Sequence, residues 1–336
     1  MTRLFTPSLL LVLLVLPTLP RSLLAMEAID ELNFYGRANL SLNRIDLEAG
    51  NGAQLQDNWE LRSNTSVIGL RGSQALQPGL NAVFQLEYEV FVDDGDDGNG
   101  DSSEFNQRNS YLGLEGKWGR LIAGKHDTPL KMVQGKIDRF NDLPLGDLRA
   151  VMQGENRPDN IVIYRSPVRN NWQWRAALIP GEDNGTSDPA HDDLSNAVSV
   201  SLEHKRDNTR FAIAHERGET IDTEVDYITR AAFEHNESDF SLGAIVQLAE
   251  LVGGGDEKSL LLSGEMPLQR RYFGTAQIAL VDLSGGERTQ LTLGLDYRFN
   301  KNAKAYGYVS RIAENVGADS QNLTAGLGFK LLFSKK

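Results

Sequence analysis

The residues best placed to do chemistry lie in the longest connector of the chain, 127–159. It carries Asp127, Asp138, Asp142, Asp147, Glu155 and Asp159, and Pro144 and Gly146 mark a bend. Connectors of this length without regular structure are uncommon and tend to be functional. Two arginines stand outside it, on segments that alternate apolar and polar residues. Arg37 lies on the face opposite Phe34, Gly36, Ala38 and Leu40, and Arg71 lies opposite Ile68 and Leu70. Carboxylates on a loop, set against guanidinium groups on a wall, would create a transverse electric field. Such a field orients water and dipolar solutes and disfavours apolar ones. This is the chemistry of selection, not of catalysis. Asp138, Asp142, Asp147 and Glu155 are its expected acidic side, and Arg37 and Arg71 part of its basic side.

Rival chemistries find less support. Cysteine is absent, which excludes disulfide staples, thiolate catalysis and Cys-ligated metals. The five histidines, His126, His191, His204, His215 and His235, show no metal-ligand spacing. The run from Asp93 to Asp101 is acidic and glycine-rich, but no frame matches the calcium-loop register, so it reads as a solvated external loop. Serines and histidines are present, yet no spacing places a nucleophile beside a base. The chain is therefore not expected to be an enzyme, and no cofactor or metal is expected. A formal net charge of -12 argues against nucleic acid and suggests a weak preference for cations.

The elements that would position these residues are strands. Sixteen segments alternate apolar and polar: 30–45, 63–74, 80–92, 106–116, 119–126, 160–166, 172–180, 196–206, 209–218, 226–237, 240–252, 258–269, 272–283, 288–300, 303–313 and 320–333. An even number suits one chain closing an antiparallel barrel. Short turns such as Gln77-Pro78-Gly79, Asp207-Asn208 and Lys301-Asn302 follow the even-numbered segments. Longer connectors, among them 46–62, 93–105 and 181–195, generally follow the odd ones. Short turns at one end and long loops at the other are the pattern of an outer-membrane barrel. Alternation alone also fits a soluble sandwich with its apolar face inward. In-strand charges such as Arg37, Glu87, Asp296, Arg298 and Lys330, and aromatics near strand ends, favour lipid outside and water inside.

The N-terminus reads as an address. Arg3 precedes an apolar run from Leu4 to Leu16, broken only by Thr6, Pro7 and Ser8. That run is shorter than the ~20 residues a spanning helix needs. Residues 1–25 are therefore expected to be a signal peptide, cleaved after Ala25 or Ala28, with a single barrel domain over 26–336.

Several short motifs, in order, resemble the Gram-negative general porin family. They are Asn33-Phe34-Tyr35-Gly36-Arg37, Ile68 to Ser73 with Gly79 to Glu87, Arg108 to Leu114 with Gly119 to Lys125, Arg157 to Asn160 with Tyr164 to Pro167, and Leu293 to Tyr297. The resemblance implies a sixteen-stranded all-β transmembrane barrel, usually trimeric, whose third loop folds into the lumen. It adds Arg108 and Lys125 to the basic wall, Lys125 standing where the family commonly has arginine. It implies passive diffusion of small hydrophilic solutes and ions in the bacterial outer membrane, with lipid and lipopolysaccharide as surroundings. A solute-specific porin and a barrel hydrolase are the alternatives. The family's terminal strand is read by the barrel-assembly machinery, whereas here Phe333 is followed by Ser334-Lys335-Lys336.

Overall fold

The structure, a computed structural model, describes residues 29–49, 53–94, 105–181, 196–218, 225–317 and 319–335. The expected signal peptide, its cleavage alanines and the acidic run beyond Asp94 lie outside the described residues. Eighteen strand segments build sixteen barrel strands, because two strands are interrupted. The first five are β1 (Glu31–Glu48), β2 in two pieces (Gln54–Ser63 and Val67–Gln77), β3 (Leu80–Val90), β4 in two pieces (Phe105–Gln107 and Ser110–Gly116) and β5 (Gly119–Lys125). Next come β6 (Ile161–Arg165), β7 (Trp172–Ile179), β8 (Ala197–Arg206), β9 (Thr209–Arg217) and β10 (Val225–Asn236). The last six are β11 (Ser241–Leu251), β12 (Asp256–Gln269), β13 (Tyr272–Leu283), β14 (Gly286–Asn300), β15 (Ala303–Glu314) and β16 (Ser320–Lys335). Each pairs antiparallel with the next, and β16 pairs with β1 from Phe34↔Lys335 to Asp46↔Leu323. The ring is closed, so no sheet edge is left unpaired.

Burial decides what alternation left open. Gln290, Thr292, Ser310 and Thr324 are fully buried, while Leu291, Leu293 and Leu327 on the opposite face are exposed, Leu327 by 73%. A soluble sandwich would bury the leucines. Here the apolar face points outward around the ring, as a lipid-embedded barrel requires. Aromatics gather at the short-turn end: Trp118 stacks on Tyr164, which meets Trp174. Tyr297 touches Tyr272 and Phe299, which reaches Phe329. Such a ring suits one membrane–water interface.

The interruptions fall at Asn64–Ser66 and at Arg108–Asn109. On β2, Leu61 and Ile68 both face outward although their parity differs. A side chain changes face with each residue, so an extra residue must be absorbed between them, which makes a bulge. On β4 the same shift separates Phe105 from Leu112, both outward. A correction follows for the first hairpin. Residues 46–62 were expected as an external loop, yet β1 runs to Glu48 and β2 starts at Gln54. Outward polar residues such as Arg44, Asp46 and Asp57 hide the alternation there, because the pairing extends to a level where no apolar face is needed.

Candidate functional site

The connector between β5 and β6 turns into the barrel and packs along its inner wall. It opens with a one-turn helix, α1 (Pro129–Met132), capped by Thr128, whose hydroxyl accepts from the Lys131 amide. The Leu130 amide donates to the Ser199 hydroxyl at 3.1 Å. Further along, Ser263 donates to the Ile137 carbonyl at 2.6 Å, and the Arg139 amide donates to the Gln277 side chain at 3.0 Å. At the tip, Gln290 donates to the Leu145 carbonyl and Gln277 to the Gly146 carbonyl. On the return, Arg230 and Gln247 both donate to the Gln153 carbonyl. Every one of these partners belongs to the buried, inward set of its strand. The loop therefore fastens its backbone to the lumen side of β8 to β15.

Apolar packing reinforces the hydrogen bonds. Leu130, Val133, Ile137 and Leu148 are completely buried in one cluster with Ile228, Ile245 and Leu261. Phe140 joins Tyr306 and Tyr308 beneath the tip. Gly294 makes room for it, since a Cβ there would sit 2.7 Å from the Phe140 ring. Tyr306 and Tyr308 are held by their hydroxyls, which donate to the Asn39 and Asn43 side chains at 2.7 and 3.0 Å.

The loop's other edge faces β1 to β5 across a cavity of about 490 Å³. Arg37 reaches over it: Nη2 lies 3.0 Å from Asp142 Oδ2, and Nε donates to the Thr65 carbonyl at the β2 bulge. Asp142 is thus the acidic candidate that meets the basic wall. The other three serve the loop itself. Asp138 is buried and accepts from the Phe140 and Leu148 amides. Burial and the neighbouring Asp147 raise its pKa well above the usual carboxylate range. Asp147 caps the short 3₁₀ turn Leu148–Ala150 and accepts from the Asp142 and Arg149 amides. Glu155 pairs with the fully buried Arg230 at 2.7 Å; burial pushes its pKa up, opposed by that guanidinium.

On the wall, Arg108 sits at the second bulge, 2.8 Å from Glu89 and 3.5 Å from Glu87, so carboxylates of its own strand neighbour answer its charge. Lys125 pairs with Asp159 at 2.6 Å and does not line the cavity. Arg71 is exposed, stacks over the Tyr35 ring at 4.9 Å and also stands apart from the eyelet. The residues passed over by sequence reasoning are largely basic. Lys131, Lys136, Arg149 and Arg157 of the loop, with Lys330 of β16, line the same cavity. Arg157 and Lys131 clasp Asp127 at 2.9 and 3.3 Å. Burial alone would raise the Asp127 pKa, but those two cations pull it down to about 2. Their signal was present, since these four loop cations are among the five lysines and arginines of 127–159.

The eyelet thus holds seven basic side chains against five carboxylates. A second cavity of about 550 Å³ opens toward the long-loop end, where Glu60, Glu89, Asp93, Asp94, Asp142 and Asp147 outnumber Arg62, Arg108 and Arg149. An outward apolar belt, a wet charged interior and a loop that narrows it define an integral β-barrel channel of the outer membrane. A family model described as Gram-negative porin matches residues 13–317, and the chain belongs to that family.

Among relatives, it is 26% identical to the major outer membrane protein P.IB of Neisseria sicca, over 94% of this chain and 97% of that protein. It is also 26% identical to outer membrane porin protein 32 of Delftia acidovorans, over 79% and 80%. The fold resembles that of the anion-selective porin from Comamonas acidovorans, with a TM-score of 0.70 at 19% identity over 90% of this chain and 99% of that one. It also resembles the trimer form of OmpT from Vibrio cholerae, with a TM-score of 0.62 at 15% identity over 90% and 99%.

Proposed function

We propose that the chain is a general diffusion porin for small hydrophilic solutes, homotrimeric, and that its eyelet passes anions somewhat more readily than cations. The observation that carries the selectivity is the basic excess around the cavity beside the inserted loop, which Arg37, Arg108, Lys131, Lys136, Arg149, Arg157 and Lys330 line. A protonated Asp138 would enlarge that excess. The cation preference expected from the net charge of -12 is not supported, because that figure sums the whole chain, outer surfaces included, whereas the lining around the inserted loop is basic by seven to five. Exposed charges beyond a Debye length, ~8 Å at physiological salt, are largely screened. The acidic cavity above would temper the preference without reversing it, since the narrow section has the least water to screen its charges. Trimerisation is supported by the family and by the trimeric fold relative. The exposed leucine belt fits lipid and the acyl chains of lipopolysaccharide. The final strand, ending near Phe333 and continuing to Lys335, is the segment offered to the barrel-assembly machinery. Purified protein in planar bilayers should give stepwise ohmic currents and, in a KCl gradient, a reversal potential on the chloride side. No steps would refute the channel, and a potassium-side potential would refute the selectivity.

A further inference from the structure

On the short-turn side of the eyelet, one inward row of the barrel sets three arginines side by side. Register places Arg120 opposite Arg165 and Arg165 opposite Arg175, and Arg175 in turn lies opposite Ser201. All belong to the lumen face: Leu121 and Trp174 between them are exposed outward, while Ile122, Ile163 and Ala177, one row higher, are buried. Directly opposed side chains have Cβ atoms roughly 4.5–5.5 Å apart, and like charges so placed repel. Local carboxylates answer only part of this charge. Glu115 takes Arg120, and Glu203 is shared between Arg175 at 3.9 Å and Arg210 at 3.3 Å. The Arg165 side chain makes no hydrogen bond or ion pair among the described residues. Arg175 Nη1 and the Ser201 hydroxyl are buried with no hydrogen-bond partner. The Arg165 guanidinium and the Ser201 hydroxyl thus lack an acceptor, and Arg175, which donates through Nη2 to Gln173 at 3.0 Å, has Nη1 in only a long ion pair with Glu203. Such unmatched donors are costly unless something supplies a partner.

We infer that this row is an oxyanion seat, in which Arg165, Arg175 and Ser201 hold a phosphate or carboxylate group during passage. The planar guanidinium fork matches both groups through paired hydrogen bonds. The row leads on from Ser201 through Ala214 to Arg230, beneath the inserted loop, so the seat adjoins the eyelet. It deepens the anion-passing reading and rests on it: the eyelet biases entry by charge, and the seat makes oxyanions pause where chloride does not.

The test measures chloride current through the full-length protein in bilayers at 0.1 M KCl, with inorganic phosphate or succinate added from the micromolar to the millimolar range. Inhibition by at least one of them should saturate. The half-blocking concentration should rise about tenfold in Arg165→Gln, equivalent to ~1.4 kcal/mol, and by a smaller factor in Arg165→Lys, which keeps the charge and loses the fork. If the glutamine variant fails to insert, the lysine variant carries the test alone. Non-saturating inhibition by both anions, or an unchanged half-blocking concentration in the variants, overturns the seat. A potassium-side reversal potential of the wild type would instead overturn the anion-passing reading, so the two failures are distinguishable.

Discussion

Asp142→Asn is the perturbation that probes the eyelet most directly. Asp142 has φ of 72°, a left-handed conformation that asparagine adopts as readily as aspartate, so the loop tip keeps its path. Its amide still donates to Asp147. The carboxylate is only 8% exposed, against 22% for Arg37, so its electrostatic part is to neutralise Arg37 and not to touch solute. Removing it leaves one extra positive charge beside the path. For an ion passing at ~5 Å in water, one unit charge is worth about 0.8 kcal/mol, and screening at 0.1 M salt lowers this to ~0.5 kcal/mol. Chloride gains this and potassium loses it, so the permeability ratio should move toward chloride about fivefold. At 1 M salt, where the Debye length is ~3 Å, the same change should fall below about twofold. Reversal potentials in KCl gradients at the two ionic strengths measure both. A ratio unmoved at 0.1 M would show that the Arg37–Asp142 pair lies off the conduction path, and an equal shift at both strengths would show that a change of shape, not of charge, is responsible.

Asp127 should give the loop a distinct acid sensitivity. Its pKa is depressed to about 2 from an ordinary value of 3.8, so its contribution of about 2 kcal/mol is complete above pH ~4 and disappears as pH falls toward 2. Protease sensitivity of the loop in the detergent-solubilised protein should rise over that window in the wild type, and Asp127→Asn should show the sensitised state already at pH 6; a flat, identical profile for both proteins would reject the role. Ile137→Ala should empty a fully buried site in the cluster under the loop, at a cost of about 2–5 kcal/mol. The barrel should keep its heat resistance on gels while open-channel noise and cleavage after Lys136 or Arg139 increase, and a quiet channel with an intact loop would place the anchoring elsewhere.

Most of the barrel was legible because its code is local. A strand that divides lipid from water must alternate, so 272–283 read from the sequence agrees with β13, and 288–300 falls two residues short of β14. Legibility fell where that requirement lapsed. Along 46–62 no lipid-facing set is needed over the whole pair, so the extended hairpin looked like loop. The bulges at Asn64–Ser66 and Arg108–Asn109 are a change of parity between two readable stretches, and each half taken alone looks regular.

The site was less legible than the fold, because a carboxylate's position in the sequence does not say what it accepts from. Asp138, Asp142, Asp147 and Glu155 look equivalent in the connector, yet backbone amides at the tip take Asp138 and Asp147, and Arg230 on a distant strand takes Glu155. Buried amides and a buried guanidinium must be matched, so a loop packed inside a barrel consumes its own acids before any solute meets them. Arg157 and Lys131 are themselves spent on Asp127, but the exposed Lys136 and Arg149, whose long stems carry the charge clear of the packing, are left facing the cavity. An acidic loop in an acidic chain can therefore present a basic surface to the pore. The sign of a porin's eyelet follows from which charges folding leaves unspent, and the chain's net charge says little about it.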